Sequence, residues 1–194
     1  MPESSRAELL ERFQRAQALV TDRVDAVRAG QWDAPALPGW TVADLVAHLT
    51  ALQLAVAALL AGAPAGDPYA VPAASDDLLG DDPLTAWETA ADTALAAWAA
   101  EDALSRTLEL PSGPVSGAEH LVATTADLVV HAWDLARATG GDTRLDGDLV
   151  AAALRYAEAH LREGGVPGLV DPPVAVRPGA DLQTRLLARF GRPV

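Results

Sequence analysis

Residues 116–140 read SGAEHLVATTADLVVHAWDLARATG and carry both a start and a stop signal for one long helix. Ser116 followed three residues later by Glu119 forms a capping box that starts a helix. Gly140 supplies the left-handed residue that commonly ends one. Between these ends, apolar side chains cover nearly the whole circumference, which is typical of a helix in the middle of a core. The stretch therefore predicts a long central helix in an all-α fold.

A single polar stripe interrupts this apolar helix. At about 100° per residue, Asp127 and His131 lie about 40° apart, and His120, Thr124 and Asp134 fall within the same sector of about 80°. A carboxylate inside a core is unfavourable unless it is paired or bound to a metal. The i, i+4 spacing of Asp127 and His131 suits a metal site, and it equally suits an ordinary Asp–His hydrogen bond.

The pattern Asp-x-x-x-His occurs a second time, at Asp44 and His48. Asp44 stands three residues after Thr41, so helix capping explains it. His48 lies one turn deeper, where it is either a core histidine or a further ligand. Because the chain has no cysteine, any metal must use oxygen and nitrogen ligands. His48 with Asp127 and His131 would form a three-ligand site with an open position, as in catalytic metal sites.

The other polar residues of the stripe and the remaining histidine have ordinary explanations. Asp134 either orients His131 from behind or pairs with Arg137 at the surface. His120 stands too near the start of its helix to join the cluster. His160 lies on a partly charged face and is expected to be solvated.

Composition limits the classes of protein that fit. A chain of 194 residues, half of them hydrophobic, favours a single domain over residues 1–194. The net charge of −13 argues against nucleic acid and anionic membranes as partners. No apolar run suggests a membrane span of about 18 residues, and the polar N-terminus does not resemble a signal peptide. We therefore expect a soluble cytoplasmic protein.

Capping and turn signals predict the other elements. Residues 30–40 and 62–80 are predicted to be loops, and residues 106–114 a short extended hairpin excursion. Four long helices with a longer connection after the second favour a four-helix bundle. The predicted helices besides the central one run from Ser5 to Ala29, from Thr41 to Ala61, from Asp82–Pro83 through Trp98, from Asp148 to Arg162, and, after a Pro-rich link, from Asp181 to Phe190.

Several stretches resemble a known family. PGWTVADLVAHL at 38–49 is similar to the entry of the second helix in the DinB-like superfamily. More closely, it resembles the N-terminal domain of mycothiol-dependent maleylpyruvate isomerase. DLVVHAWDLARATG at 127–140, LPSGPV at 110–115 and LLARFGRP at 186–193 match the same group. The likeness covers nearly the whole chain and is greatest to short bacterial relatives regarded as metal-binding proteins.

The resemblance implies a DinB-like four-helix bundle, with extra C-terminal helices, that holds a divalent metal. His48 and His131 match the two histidine ligands. Asp127 stands where the isomerase has Glu, so this side chain is shorter by one methylene group. Zinc is the first expectation, with nickel, iron or manganese as alternatives. The resemblance further implies mycothiol as a cofactor, a small-molecule thiol or electrophile as partner, and a homodimer.

Three functions remain open on this reading. The tail after Gly164 is too short for the isomerase's C-terminal domain, so maleylpyruvate isomerisation does not carry over. The first function is a metal-dependent enzyme of the thiol transferase or isomerase type, and the second a non-catalytic metal- or small-ligand-binding protein. The third is a structural bundle in which Asp127 and His131 bond to each other. If a metal binds, its affinity is expected to fall as pH drops through about 6.5, the ordinary imidazole pKa.

Overall fold

A computed structural model describes residues 5–63, 75–165 and 170–193. Two short antiparallel hairpins pair β1 (Pro35–Leu37) with β2 (Trp40–Thr41) and β3 (Thr107–Leu110) with β4 (Gly113–Ser116). The helices are α1 (Arg6–Asp25), α2 (Val42–Leu60), α3 (Ser75–Leu79), α4 (Pro83–Trp98), α5 (Gly117–Thr139), α6 (Gly147–His160) and α7 (Leu182–Arg189).

Four long helices, α1, α2, α4 and α5, form a bundle. α2 packs mainly against α4 and α1 mainly against α5, while contacts of α1 with α4 and of α2 with α5 close the ring. α6 packs on the outside of α5, and α7 packs on α6. The predicted all-α bundle with a hairpin excursion and additional C-terminal helices is confirmed.

Capping boxes begin the two helices that carry the polar pairs. The Thr41 hydroxyl accepts a hydrogen bond from the Asp44 N–H, and the Asp44 carboxylate accepts one from the Thr41 N–H at 2.9 Å. Asp44 is therefore a capping residue, as predicted. Ser116 and Glu119 form the same box at α5, and Gly140 ends that helix with a φ of 70°. Each of the two helices thus starts at a defined residue.

The core surrounds α5. Residues 128–136 of this helix are buried without interruption, as expected for a central helix that is apolar nearly all round. Trp87 and Trp98 of α4 are fully buried in the same core. Polar side chains on the buried part of α5 must therefore find partners inside the protein.

The structure differs from the sequence predictions in the connections. α1 ends at Asp25 rather than Ala29, because Arg28 is extended and its N–H donates to the Gln31 side chain at 2.9 Å. The predicted loop 30–40 contains β1 and β2, whose two or three residues are too short to produce a visible alternation. Gly39, at φ 79°, closes this hairpin.

The second predicted loop, 62–80, contains the short helix α3, so the loop prediction is wrong for residues 75–79. Its central part, 64–74, lies outside the described residues, as does 166–169 of the Pro-rich link. α6 and α7 begin and end within two residues of their predicted bounds.

α2 corrects the expectation about membrane spans. Among the described helices, α2 alone is long and apolar enough to cross a membrane by length and composition. More than half of that apolar window is buried inside the bundle, as in the core helix of a soluble protein. Only the prediction that no apolar run is long enough was wrong, because His48 and the other polar residues of α2 are too few to lower its hydropathy.

Gly117 provides a test of the packing at the start of α5. A Cβ at this position would overlap the carbonyl oxygen of Ala103, whereas a Cβ at Gly147, the first residue of α6, meets no atom within 4 Å. We expect Gly117→Ala to lower the free energy of unfolding by about 1–3 kcal/mol. Gly147→Ala, the matched control, should leave it unchanged or raise it by up to about 1 kcal/mol. Urea denaturation measures both, and equal stability of the two variants would contradict the close approach.

Candidate metal centre

Three side chains meet between α2 and α5. His48 lies on the second turn of α2, and Asp127 and His131 lie one turn apart in α5. One ligand atom from each residue lies within 4.8 Å of the other two. The three residues singled out in the sequence are thus brought together. His120 is not part of this cluster, as predicted, and its ring lies beside Trp98.

The ring of His131 is held in one orientation. Its Nδ1–H donates to Asp134 Oδ2 at 3.0 Å, so the opposite nitrogen, Nε2, faces Asp127 Oδ1 at 3.4 Å. This separation exceeds the range of about 2.7–3.2 Å for ordinary N–H···O hydrogen bonds. A tetrahedral zinc ion with bonds of about 2.0–2.1 Å separates two ligand atoms by about 3.4 Å. The pair is therefore spaced better for a shared metal ion than for a direct hydrogen bond.

His48 is a buried imidazole without a hydrogen-bond partner among the described residues. The Trp40 ring packs against it in a T-shaped arrangement with ring centroids 5.0 Å apart, and the His131 ring lies at 5.9 Å. Burial lowers the pKa of His48 to about 4, so the ring is neutral at pH 7. A buried, neutral and unpaired imidazole beside a carboxylate offers a lone pair to a cation, which fits a metal ligand.

His131, unlike His48, is positively charged at pH 7. Burial alone would lower the pKa of His131, but Asp127 and Asp134 together raise it to about 9. Burial likewise opposes ionisation of Asp127, yet His131 and His48 hold the pKa of Asp127 below its ordinary value. Without a metal, His131 is an imidazolium between two carboxylates. A metal ion that binds Nε2 must therefore displace a proton.

Asp134 supports the cluster from behind. It is 2 % exposed and accepts hydrogen bonds from His131 and from the guanidinium of Arg192. Of the two predicted roles, orienting His131 is the one that the structure has. Arg137 instead lies over the ring of Trp133, 5.4 Å from its centroid. His160, as predicted, is exposed.

Sequence reasoning missed Arg192. This residue follows α7 and contacts Asp134 across 58 positions of the chain. No local spacing connects the two residues, so no pattern in a single sequence points to the contact. Burial of Asp134 was the one available signal, because a buried carboxylate requires a cationic or hydrogen-bonding partner.

Fold and site together define a class of protein: an all-α bundle in which two neighbouring helices assemble a His–Asp–His cluster with a carboxylate behind one histidine. A sequence model of the mycothiol maleylpyruvate isomerase N-terminal domain matches residues 13–136. The chain belongs to this family. It is also 35 % identical over 187 residues to uncharacterized proteins of Mycobacterium tuberculosis strains CDC 1551 / Oshkosh and ATCC 25618 / H37Rv, covering 93 % of this chain and 96 % of theirs.

Solved structures show the same fold. The crystal structure of the mycothiol-dependent maleylpyruvate isomerase matches with a TM-score of 0.65 and 23 % identity, over 80 % of this chain and 69 % of that one. A histidine-to-alanine mutant of that enzyme matches over the same shares, with a TM-score of 0.63 and 21 % identity. At these identities the two structures show a shared fold, while the sequence model is what confirms the expected family.

The raised pKa of His131 changes the expected pH dependence of metal binding. Because His131 stays protonated up to about pH 9 and His48 is neutral above about pH 4, each bound metal ion should release one proton over this range. Apparent affinity should then rise about tenfold per pH unit between about pH 5 and 9. Competition with a chelator of known protonation constants measures this slope. Affinity that levels off above pH 7, as an ordinary imidazole would produce, contradicts the expectation.

Proposed function

We propose that this protein binds a divalent metal, with zinc as the first candidate, and uses it with a low-molecular-weight thiol in transferase or isomerase chemistry. The proposed ligands are His48, Asp127 and His131. The observation that carries the proposal is the orientation of His131, whose Nε2 faces Asp127 beside the unpaired ring of His48. Nickel, iron and manganese are alternative ions, since nitrogen and carboxylate ligands accept each of them.

The ligand set suits a reacting centre more than a structural one. Three protein ligands are typical of catalytic zinc sites, which keep a position for substrate, whereas structural sites are closed by four. A zinc-type ion supplies Lewis-acid chemistry that lowers the pKa of a bound thiol or water. The side chain of Asp127 is 35 % exposed while His48 is buried, so a small molecule can approach from the Asp127 side.

A thiol cofactor agrees with the composition and the family. The chain has no cysteine, so any thiol that reacts at this site has to come from another molecule. The related isomerase is described as mycothiol-dependent, which makes mycothiol the first thiol to test and an electrophilic small molecule the expected second substrate. We further propose that residues 1–194 form one domain, that the protein works in the cytoplasm, and that it forms a homodimer.

Replacing one ligand should abolish tight metal binding. Protein purified without a histidine tag is expected to bind about one zinc ion per chain, and His48→Ala should weaken zinc affinity more than about 100-fold. His160→Ala is the matched control, because His160 is exposed on α6, outside the cluster, where its ring stacks on Tyr156. Elemental analysis and chelator competition give the two quantities. Equal zinc affinity of His48→Ala and the wild type would rule out this ligand set.

Thiol binding should depend on the metal. Calorimetric titration of the zinc-loaded protein with mycothiol is expected to give saturable heat, while the metal-free protein and His48→Ala give none. The physical reason is that the cation stabilises the thiolate, which the acidic chain alone would repel. Saturable zinc binding without any thiol heat would disprove the thiol-dependent proposal and support a non-catalytic metal-binding protein.

A further inference from the structure

We propose that Arg192 is a positioning residue for the metal centre, acting on His131 through Asp134. The inference rests on the proposed metal site and goes further, because it makes the segment after α7 a working part of that site. The connection runs from the Arg192 guanidinium through the Asp134 carboxylate to the His131 ring, and from that ring to the face shared with Asp127.

The contact between Arg192 and Asp134 is bidentate. Arg192 Nη2 donates to Oδ2 at 2.6 Å, and Nε donates to Oδ1 at 3.2 Å. A planar guanidinium that holds both oxygens fixes the plane of the carboxylate as well as its position. Oδ2 is also the atom that accepts the hydrogen bond from His131 Nδ1. The direction of that hydrogen bond, and hence of Nε2 on the far side of the ring, therefore depends on Arg192.

The chain around Arg192 holds the guanidinium in place. Its backbone N–H donates to the Leu187 carbonyl at 2.9 Å, and Nη1 donates to the Phe190 carbonyl at 2.8 Å. Gly191 has a φ of 78°, and a Cβ there would overlap Asp171. Only glycine permits this tight turn. The arginine is thus anchored at its backbone and at its side chain before it reaches Asp134.

The expected effect is on metal affinity. Histidine ligands commonly donate their second N–H to a carboxylate, and loss of such a partner weakens metal binding about 10–100-fold. Without Arg192, Asp134 would keep His131 as its only remaining cationic partner among the described contacts and could turn toward it. Arg192→Lys would keep the positive charge but lose the bidentate contact with both oxygens of Asp134, because an ammonium group is a point charge.

Arg189 distinguishes positioning from simple attachment of α7. Its guanidinium donates to the Ala157 and Leu161 carbonyls at the end of α6, and so holds α7 to α6 without touching Asp134. If Arg192 merely attached the C-terminal segment, Arg189→Gln and Arg192→Gln should change metal affinity equally. If Arg192 positions His131, only Arg192→Gln should change it.

The test compares cobalt and zinc affinities of the wild type, Arg192→Gln, Arg192→Lys and Arg189→Gln, each shown to be folded by circular dichroism. We expect Arg192→Gln to weaken binding about 10–100-fold and to alter the visible absorption of bound cobalt. Arg192→Lys should fall between it and the wild type, and it serves as the measurable variant if the glutamine variant does not fold. Arg189→Gln should lower thermal stability while keeping wild-type metal affinity.

Two outcomes overturn the inference separately from the proposed function. Unchanged affinity and cobalt spectra in both Arg192 variants, with a wild type that binds metal, would show that Arg192 does not position His131. Equal weakening in Arg189→Gln would reduce its role to attachment of the C-terminal segment. Failure of the wild type itself to bind metal would instead disprove the metal centre, and the inference with it.

Discussion

The hydrogen bonds of Asp134 connect the central helix to both the candidate metal centre and the C-terminal segment. This carboxylate is 2 % exposed in the most enclosed part of α5, where an unpaired charge would be strongly destabilising. His131 satisfies it from within the helix and Arg192 from the chain that follows α7. The return of the C-terminal segment to α5 is therefore more than extra packing, because it supplies the cation that allows this carboxylate to be buried.

The bundle gives two similar histidines different states. His48 packs against Trp40 and has no anionic hydrogen-bond partner among the described residues, so burial keeps it neutral. His131 lies between two carboxylates, which outweigh the same burial and keep it charged. The repeated Asp-x-x-x-His pattern is thus only partly symmetric, since Asp44 serves the start of α2 while Asp127 faces the cluster. The asymmetry comes from position in the helix. The carboxylate of Asp44 accepts a hydrogen bond from a backbone N–H at the start of α2, whereas mid-helix N–H groups are already bonded within the helix and leave none for Asp127.

Local patterns predicted much of this structure, and long-range contacts explain what they missed. The capping boxes at Thr41 and Ser116 mark where α2 and α5 begin, and the cluster could be inferred from helix geometry and resemblance. The β1–β2 hairpin and α3 were missed because elements of two to five residues carry little periodicity. The contact of Arg192 with Asp134 and the raised pKa of His131 were missed because both arise only when distant segments meet.

Charge balance links the proposed binding of a metal ion to the proposed binding of a thiol. With a proton on His131, the positive charges of His131 and Arg192 match the negative charges of Asp127 and Asp134, so the four side chains together are neutral. Replacement of that proton by a divalent cation leaves one excess positive charge in a site of low dielectric. A neutral ligand would not remove this excess, whereas an anionic thiolate would. The arrangement proposed to hold a metal ion therefore favours a small molecule that binds as an anion, and in a chain without cysteine a thiolate must come from another molecule.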